Sequence, residues 1–366
     1  MDLEMLQERA RIIRQIRSFF DGRDYLELDT PLMSPNLIPE SCLEVFETRR
    51  ILPAASRNPA TTPYWLIPSP EIWMKKIIAQ HRANVYQVCK CFRNGESSGF
   101  LHSPEFTMLE YYTMDADYTD SLKLTEELFD FLAPARFSLP FERITVAEAF
   151  SRYAGFNLFA AAGGLKATDM SNKNFLPRST TEFHGEKGKN HTKTPWNSKL
   201  TAGQQTSVMN SSSLETEARR LGLDPPPGMG AAELYDLIFI HAVEPQLKRN
   251  QPIALLDYPA FVPCLARRSA DGKTVERWEL YYNGIELANC YSEETNAQRV
   301  QDFFESESAA KEKQALVHHQ VDRDYPKLFE GGTFPPCSGV ALGLDRLIMA
   351  LCERSTIDGV LPFPMG

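Results

Sequence analysis

The chain is 366 residues long, room for one large domain or two ordinary ones, and its 43% hydrophobic and 24% charged residues are the make-up of a soluble globular protein. A net charge of −9 gives no sign of general adhesion to nucleic-acid backbones, which needs a basic surface, though it is compatible with a local basic patch. Seven scattered cysteines without a CxxC pair fit a reducing, cytoplasmic setting, and neither an apolar leader nor a membrane span is evident.

Residues 3–20 are predicted to form an amphipathic helix, with Ile12, Ile16, Phe19 and Phe20 on one face and Gly22 as its stop. Tyr25 to Asp29 alternates as a strand that Pro31 ends. Two strands rich in β-branched and aromatic residues, 85–92 and 106–113, flank a polar loop and read as an antiparallel hairpin with a long functional connection. Cys89 and Cys91 share one face of the first strand, but no second ligand pair follows them, so they are not read as a metal site. A helix at 120–132 with an aspartate cap comes next. Residues 161–215 turn polar, with isolated apolar residues, and read as an inserted loop or mobile segment without a core of its own.

Regular patterning returns in a helix at 231–243, ended by Pro245. Strands 277–282 and 285–291 flank Asn283-Gly284, a strong hairpin signal. A charged helix covers 297–317, and the adjoining His318-His319 reads as solvated surface. A strand of small residues at 338–343 runs into a helix at 345–352. Antiparallel strands with helices between them predict an α+β fold: one domain built on an antiparallel sheet flanked by helices, with the insertion at 161–215.

The second hairpin allows a geometric derivation. A two-residue turn pairs Tyr282 with Ile285 and Tyr281 with Glu286, so Glu279 shares a face with Glu286. Two carboxylates on one face suit Mg²⁺ completed by phosphate oxygens, or they are two exposed glutamates on a wet face. The opposite phase of the second strand carries Asn289, Tyr291 and Glu293, which could hold an ammonium group or be solvated. Glu110 and Tyr112 share a face with Phe106 and Met108, and a glutamate on an apolar face needs a partner, either an internal cation or a cationic ligand. Arg93, Glu96 and His102 lie in or beside the connecting loop, where an arginine fork suits phosphate and carboxylate oxygens. Ser338 to Gly343 offers close backbone approach to a flat ring, and Arg346 could stack on that ring.

Arg93-Asn94 through Pro104-Glu105-Phe106-Thr107-Met108-Leu109-Glu110 resembles motif 2 of the class II aminoacyl-tRNA synthetases in its lysyl form. Gly339-Val340-Ala341-Leu342-Gly343-Leu344-Asp345-Arg346-Leu347 resembles motif 3, and residues 8–35 resemble motif 1, which in the family forms a homodimer interface. Ser69-Pro70-Glu71 and Gly284-Ile285-Glu286-Leu287-Ala288-Asn289 match as well. Within the group, the chain is most similar to the lysyl-type paralogues that ligate (R)-β-lysine to elongation factor P. It starts directly at motif 1, which implies a chain without an anticodon-binding barrel, and Ala341 stands where lysyl-tRNA synthetases usually carry Gly.

The resemblance implies ATP and Mg²⁺ as cofactors, (R)-β-lysine or lysine as substrate and elongation factor P as acceptor, with tRNA an improbable partner. It implies that Arg93 holds the α-phosphate and the substrate carboxylate, and that Glu96, His102, Phe106, Leu287, Gly343 and Arg346 surround ATP, with the Phe106 ring under the adenine and Arg346 over it. Glu279 and Glu286 would bind Mg²⁺; Ser69, Glu71, Glu110, Tyr112, Asn289, Glu293 and Ala341 would line the amino-acid pocket. Two departures stand out: Gly95 holds the place of the usual motif 2 glutamate, with Glu96 one position later, and Gly99, Phe100 and Leu101 precede His102 where an arginine is usual. The alternatives are a tRNA-charging enzyme without an anticodon domain and an inactive synthetase-like regulator.

Overall fold

The computed structural model describes residues 2–52, 61–95, 99–163, 213–247 and 249–363. Helix α1 (Leu3–Asp21) is capped by Asp2, whose carboxylate accepts from the backbone N–H groups of Glu4 and Met5, and it buries Ile12, Ile16, Phe19 and Phe20 as the periodicity predicts. Gly22 ends the helix in a right-handed conformation, and the left-handed residue comes later, at Asp24 with φ of 59°. Only β1 (Leu26–Glu27) of the strand predicted at 25–29 is paired. Strands β2 (Met33–Ser34), β3 (Glu47–Ile51) and β4 (Thr61–Leu66) follow, then helix α2 (Glu71–His81) and the hairpin of β5 (Val85–Phe92) and β6 (Glu105–Met114).

Helix α3 (Tyr118–Leu132) begins earlier than predicted. Its cap is Asp117, which accepts from the N–H groups of Thr119 and Asp120, while Asp120 closes a reciprocal capping box. Strand β7 (Glu142–Thr145) and helices α4 (Val146–Ala149), α5 (Leu158–Ala162), α6 (Leu214–Arg220) and α7 (Ala231–Ile238) come next. Most of the predicted insertion at 161–215 lies outside the described residues; its two ends belong to α5 and α6. Helix α7 widens into a π-helical turn at Phe239–Val243, and Pro245 sits in a 3₁₀ turn at Glu244–Leu247. The chain then runs through β8 (Ile253–Pro259), β9 (Thr274–Tyr282), β10 (Ile285–Ser292), α8 (Ala297–Gln314), β11 (Cys337–Gly343) and α9 (Leu344–Leu351).

Among the described residues, eight strands form one sheet in the order β1-β5-β6-β11-β10-β9-β8-β7, and β2-β4-β3 form a smaller one. The central pairs are antiparallel, but β1–β5 and β7–β8 are parallel, so the large sheet is mixed within the predicted α+β class. One face of its centre is apolar. Leu109 and Tyr111 of β6, Val340 and Leu342 of β11, Cys290 of β10 and Trp278 and Leu280 of β9 are buried there beneath α1, α3 and α9. His318 and His319 lie beyond the end of α8. The His319 ring stands edge-on to Trp65 at 6.2 Å, and burial pushes it down to about 4, so it is packed and neutral rather than solvated surface.

A charged contact is set into the apolar layer at Asp345. Asp345, in the first turn of α9, accepts from the Thr107 backbone N–H of β6 at 2.7 Å and pairs with the Arg9 guanidinium of α1 at 2.7 Å. Arg9 also donates to the Thr107 hydroxyl at 2.8 Å. The first helix, the strand after the polar loop and the last helix are thereby fixed to one another. With side chains only 11% and 5% exposed, Arg9 and Asp345 form a pair whose half-removal leaves a buried charge alone. Arg9→Ala is therefore expected to destabilise the protein by about 3–5 kcal/mol, read as a lower urea midpoint at unchanged slope.

Candidate active site

The other face of the sheet carries the polar residues. Cross-strand register aligns Gln87, Glu110, Ala341, Asn289 and Glu279 in one row across β5, β6, β11, β10 and β9. A neighbouring row contains Val85, Tyr112, Gly339, Tyr291 and Arg277.

The hairpin turn has the expected form, with positive φ at Asn283 (52°) and Gly284 (78°) and the pairs Tyr282–Ile285 and Tyr281–Glu286. The expectation that Asn289, Tyr291 and Glu293 point away from Glu286 is corrected by a β-bulge between Glu286 and Ala288. Leu287 is the extra residue. Leu287 and Ala288 both turn into the apolar core, and the strand resumes with Asn289 on the face of Glu279 and Glu286. The two faces read from the sequence are thus one.

At the β6 end, Glu110 is 2% exposed. Its carboxylate accepts from the Ser69 hydroxyl and the Tyr112 phenol, each at 2.7 Å. Ser69 also accepts from the Glu71 N–H at the start of α2, at 3.0 Å. Burial first, and the nearby Glu71 carboxylate second, push the Glu110 carboxyl up to about 8. Glu71 accepts from Tyr325 at 3.0 Å and from Lys75, one helical turn on, at 2.6 Å. Lys75 also meets Glu293 at 2.6 Å. Glu293 follows β10 and is fixed by its N–H to the Cys337 carbonyl at 2.9 Å.

Gly339 keeps this corner open. A Cβ there would lie 2.4 Å from the Tyr112 ring and 2.6 Å from a Glu293 carboxylate oxygen. A Cβ at Gly343, the other glycine of the small-residue strand, would come no closer than 3.7 Å to another residue, so packing does not demand glycine there.

At the β9–β10 end, Glu279 accepts from Tyr281 at 2.7 Å and from Arg277, whose guanidinium also donates to Asn289 at 3.2 Å and lies over the Tyr258 ring at 4.3 Å. Burial and then Glu279 raise the Glu286 carboxyl, and Glu244 is raised to about 7 by burial and then by Glu286 and Glu279. Like charges held this close favour a bound dication. Among the described residues no group of three or more His, Cys, Asp or Glu side chains forms a complete cage, so Mg²⁺ bound by Glu279 and Glu286 would take its remaining ligands from phosphate and water.

Arg93 directly follows β5, with its N–H bonded to the Pro104 carbonyl at 3.0 Å and its guanidinium 5.3 Å from the centre of the Phe106 ring. Glu40 also faces this region. Burial and then Glu71 push it up to about 7, with Arg93 and Lys311 opposing. Arg346 donates to the Glu286 carbonyl at 3.0 Å and to Nε2 of His102 at 2.7 Å, joining α9 to β10 and to the loop. Glu96 lies outside the described residues. The other residues expected in the site are brought to one face or its rim, except Leu287, which is buried beneath it.

Sequence reasoning missed Lys75, Arg277, Glu40 and Glu244, and it read Gly339 as part of a strand approached by a flat ring rather than as the neighbour of Tyr112 and Glu293. Glu71 and Lys75 stand four apart on a helix, the spacing of an ion pair, and that signal was available. Arg277 alternates in phase with Glu279, which was also readable. Glu40, Glu244 and the crowding at Gly339 depend on tertiary approach.

Two predictions follow from the Glu110 corner. Folded Glu110 keeps its proton to about pH 8, whereas an unfolded glutamate sheds it near 4.5, so this residue lowers stability as pH climbs between those values and adds no further change above them. Glu110→Gln cannot ionise, and its unfolding free energy is expected to gain on wild type from pH 5 to pH 8 (about those limits); parallel curves would contradict the assignment. Gly339→Ala is expected to abolish binding of a diamino acid in calorimetry while ATP binding persists.

Residues 3–366 match the model of the family described as tRNA synthetases class II (D, K and N). The elongation factor P–(R)-β-lysine ligase of Avibacterium paragallinarum is 31% identical over 362 residues, 99% of this chain and 95% of the relative. The proteins of the same name from Pasteurella multocida and Actinobacillus succinogenes are each 30% identical, covering 99% and 100% of this chain and 95% and 96% of their own lengths. The chain belongs to the class II tRNA synthetase family.

Proposed function

We propose that the protein, acting as a single catalytic domain, activates (R)-β-lysine or lysine with ATP and transfers it to a lysine side chain of elongation factor P. The observation that carries the reading is the polar row. Carboxylates for amines gather at the Glu110 end, carboxylates for a metal at the Glu279 end, and an arginine over an aromatic ring stands beside them. The full-length similarity to elongation factor P–(R)-β-lysine ligases supports the acceptor.

In the first step a carboxylate oxygen of the amino acid attacks the α-phosphorus of ATP and pyrophosphate leaves. The step needs position and charge neutralisation more than covalent help. Arg93 would hold the α-phosphate and the attacking carboxylate together. Phe106 would lie under the adenine, and Arg346, braced by Glu286 and His102, would cover it. Mg²⁺ at Glu279 and Glu286 would neutralise phosphate charge. Glu71 would meet the amine nearer the carboxylate. Glu110, Tyr112, Asn289 and Glu293 would surround the distal ammonium, with the Ala341 methyl between Glu110 and Asn289 setting its position. In the second step the acceptor amine attacks the adenylate carbonyl, an amide forms and AMP leaves.

The resemblance of residues 8–35 to motif 1 supports a homodimer, and Leu26, Leu32 and Met33 of that region are half-exposed. Among the described residues no helix is long and apolar enough to cross a membrane. The cytoplasm would be the place of action.

The decisive measurement is the intact mass of elongation factor P after incubation with the protein, ATP, Mg²⁺ and (R)-β-lysine, with α-lysine and bulk tRNA in parallel. One added lysyl unit on the factor is expected; charged tRNA with an unmodified factor would make the protein a tRNA-charging enzyme. Arg93→Ala is expected to lose pyrophosphate exchange by at least about 100-fold while remaining folded. A folded, active variant would remove Arg93 from the reaction.

A further inference from the structure

Lys75 is 1% exposed, yet it lies on the same side of the sheet as the polar row. Its ammonium reaches Glu71 on its own helix and Glu293 beyond β10, both at 2.6 Å, and stands 5.9 Å from the centre of the Tyr112 ring. Burial opposes the charge, but Glu293 and Glu71 together hold the ammonium well above its ordinary range. The lysine therefore enters the amino-acid corner as a permanent cation, contributed by the protein.

Its position has two consequences. Glu293 is only 4% exposed and is tied through one oxygen to Lys75, while its other oxygen lies against Gly339, so Lys75 fixes where that carboxylate points. Glu71 retains the Tyr325 hydroxyl on the same oxygen that meets Lys75, so neither contact engages its second oxygen. The corner holds three carboxylates, Glu71, Glu110 and Glu293, and one ammonium. Without a ligand Glu110 keeps its proton, but an ammonium beside it favours the carboxylate; the corner then carries two negative charges, the number of ammonium groups on a diamino acid.

Resting on the diamino-acid reading of the pocket, we propose that Lys75 is a positioning and specificity-determining residue: it consumes one of three carboxylate charges and aims the Glu71 and Glu293 oxygens, so that the pocket accepts two ammonium groups. No covalent step involves it. Removing it leaves one carboxylate charge in excess in a buried site, which a bound proton or an adventitious cation would satisfy in competition with the substrate.

The test is pyrophosphate exchange with KM measured separately for the diamino acid and for ATP, in wild type, Lys75→Ala, Glu293→Gln and the double variant Lys75→Met/Glu293→Gln. Lys75→Ala is expected to raise KM for the diamino acid by at least about 30-fold and KM for ATP by less than about threefold, and added ethylammonium, which fits the vacated space, is expected to recover part of the loss. With the diamino acid bound, the double variant leaves Glu71 and Glu110 as the two charges facing its two ammonium groups. It is expected to bind the diamino acid better than Glu293→Gln alone, which a purely structural lysine would not allow. An unchanged diamino-acid KM in Lys75→Ala, or an equal rise for both substrates, would overturn the role of Lys75. If Lys75→Ala does not fold, a double variant no better than Glu293→Gln overturns it instead. Wild-type protein that exchanges with neither diamino acid would overturn the reading of the pocket itself.

Discussion

Carboxylates crowded on one face of a sheet repel one another, and each must find a cation, a hydrogen-bond donor or a proton. This constraint shapes the site at both ends. Lys75 answers Glu71 and Glu293, Ser69 and Tyr112 answer Glu110, and Arg277 and Tyr281 answer Glu279. Glu286 and Glu244 are left more acid-like than acidic, with raised carboxyls beside Glu279. Both ends keep a negative excess, which phosphate-bound metal would meet at one and the ammonium groups of the amino acid at the other. An anionic face of this kind would be unstable in a flexible frame.

The frame is rigid for identifiable reasons. The apolar side of the same strands is packed under α1, α3 and α9, and the Arg9–Asp345–Thr107 contact locks three parts of the chain that are far apart in sequence. A second tie holds the rim. Residues 40–45 are strapped to α8 by Lys311, which donates to the Glu40 and Leu43 carbonyls, and by Glu307, which accepts from the Ser41 N–H at 2.8 Å. The same strap holds the Asn94 N–H through the Glu44 carbonyl at 2.9 Å, next to Arg93. The arginine proposed to meet the phosphate is therefore anchored through backbone on one side and packed on Phe106 on the other.

Much of this was legible in the sequence, and the residues show why. Periodicity found α1 and its buried face because an amphipathic stripe reports burial directly. Asn283-Gly284 fixed the hairpin register because positive φ at both positions admits few other residues. What failed was the face of Asn289, Tyr291 and Glu293. Strict alternation assumes one residue opposite one residue, and nothing in Glu286-Leu287-Ala288 announces that two will share a partner. His319 was misread for a related reason: its partner Trp65 is distant in the chain, so composition alone suggested solvent. Gly339 and Gly343 look alike in sequence, yet only the first is crowded, because Tyr112 of β6 and Glu293 beyond the end of β10 close in on it.

The bulge at Leu287 also bears on how such a site can change over time. Side chains beyond it occupy one of two states, toward the pocket or toward the core, and the state is set by a count of residues rather than by their chemistry. Substitutions at Asn289 or Ala341 can therefore explore new ligand shapes one atom group at a time. Loss of a single residue from 286–288 would instead exchange Asn289 and Tyr291 with Cys290 in one event, placing polar groups in the core and an apolar residue in the pocket. Ligand preference in this architecture is free to drift by replacement, while its length in this stretch is held fixed.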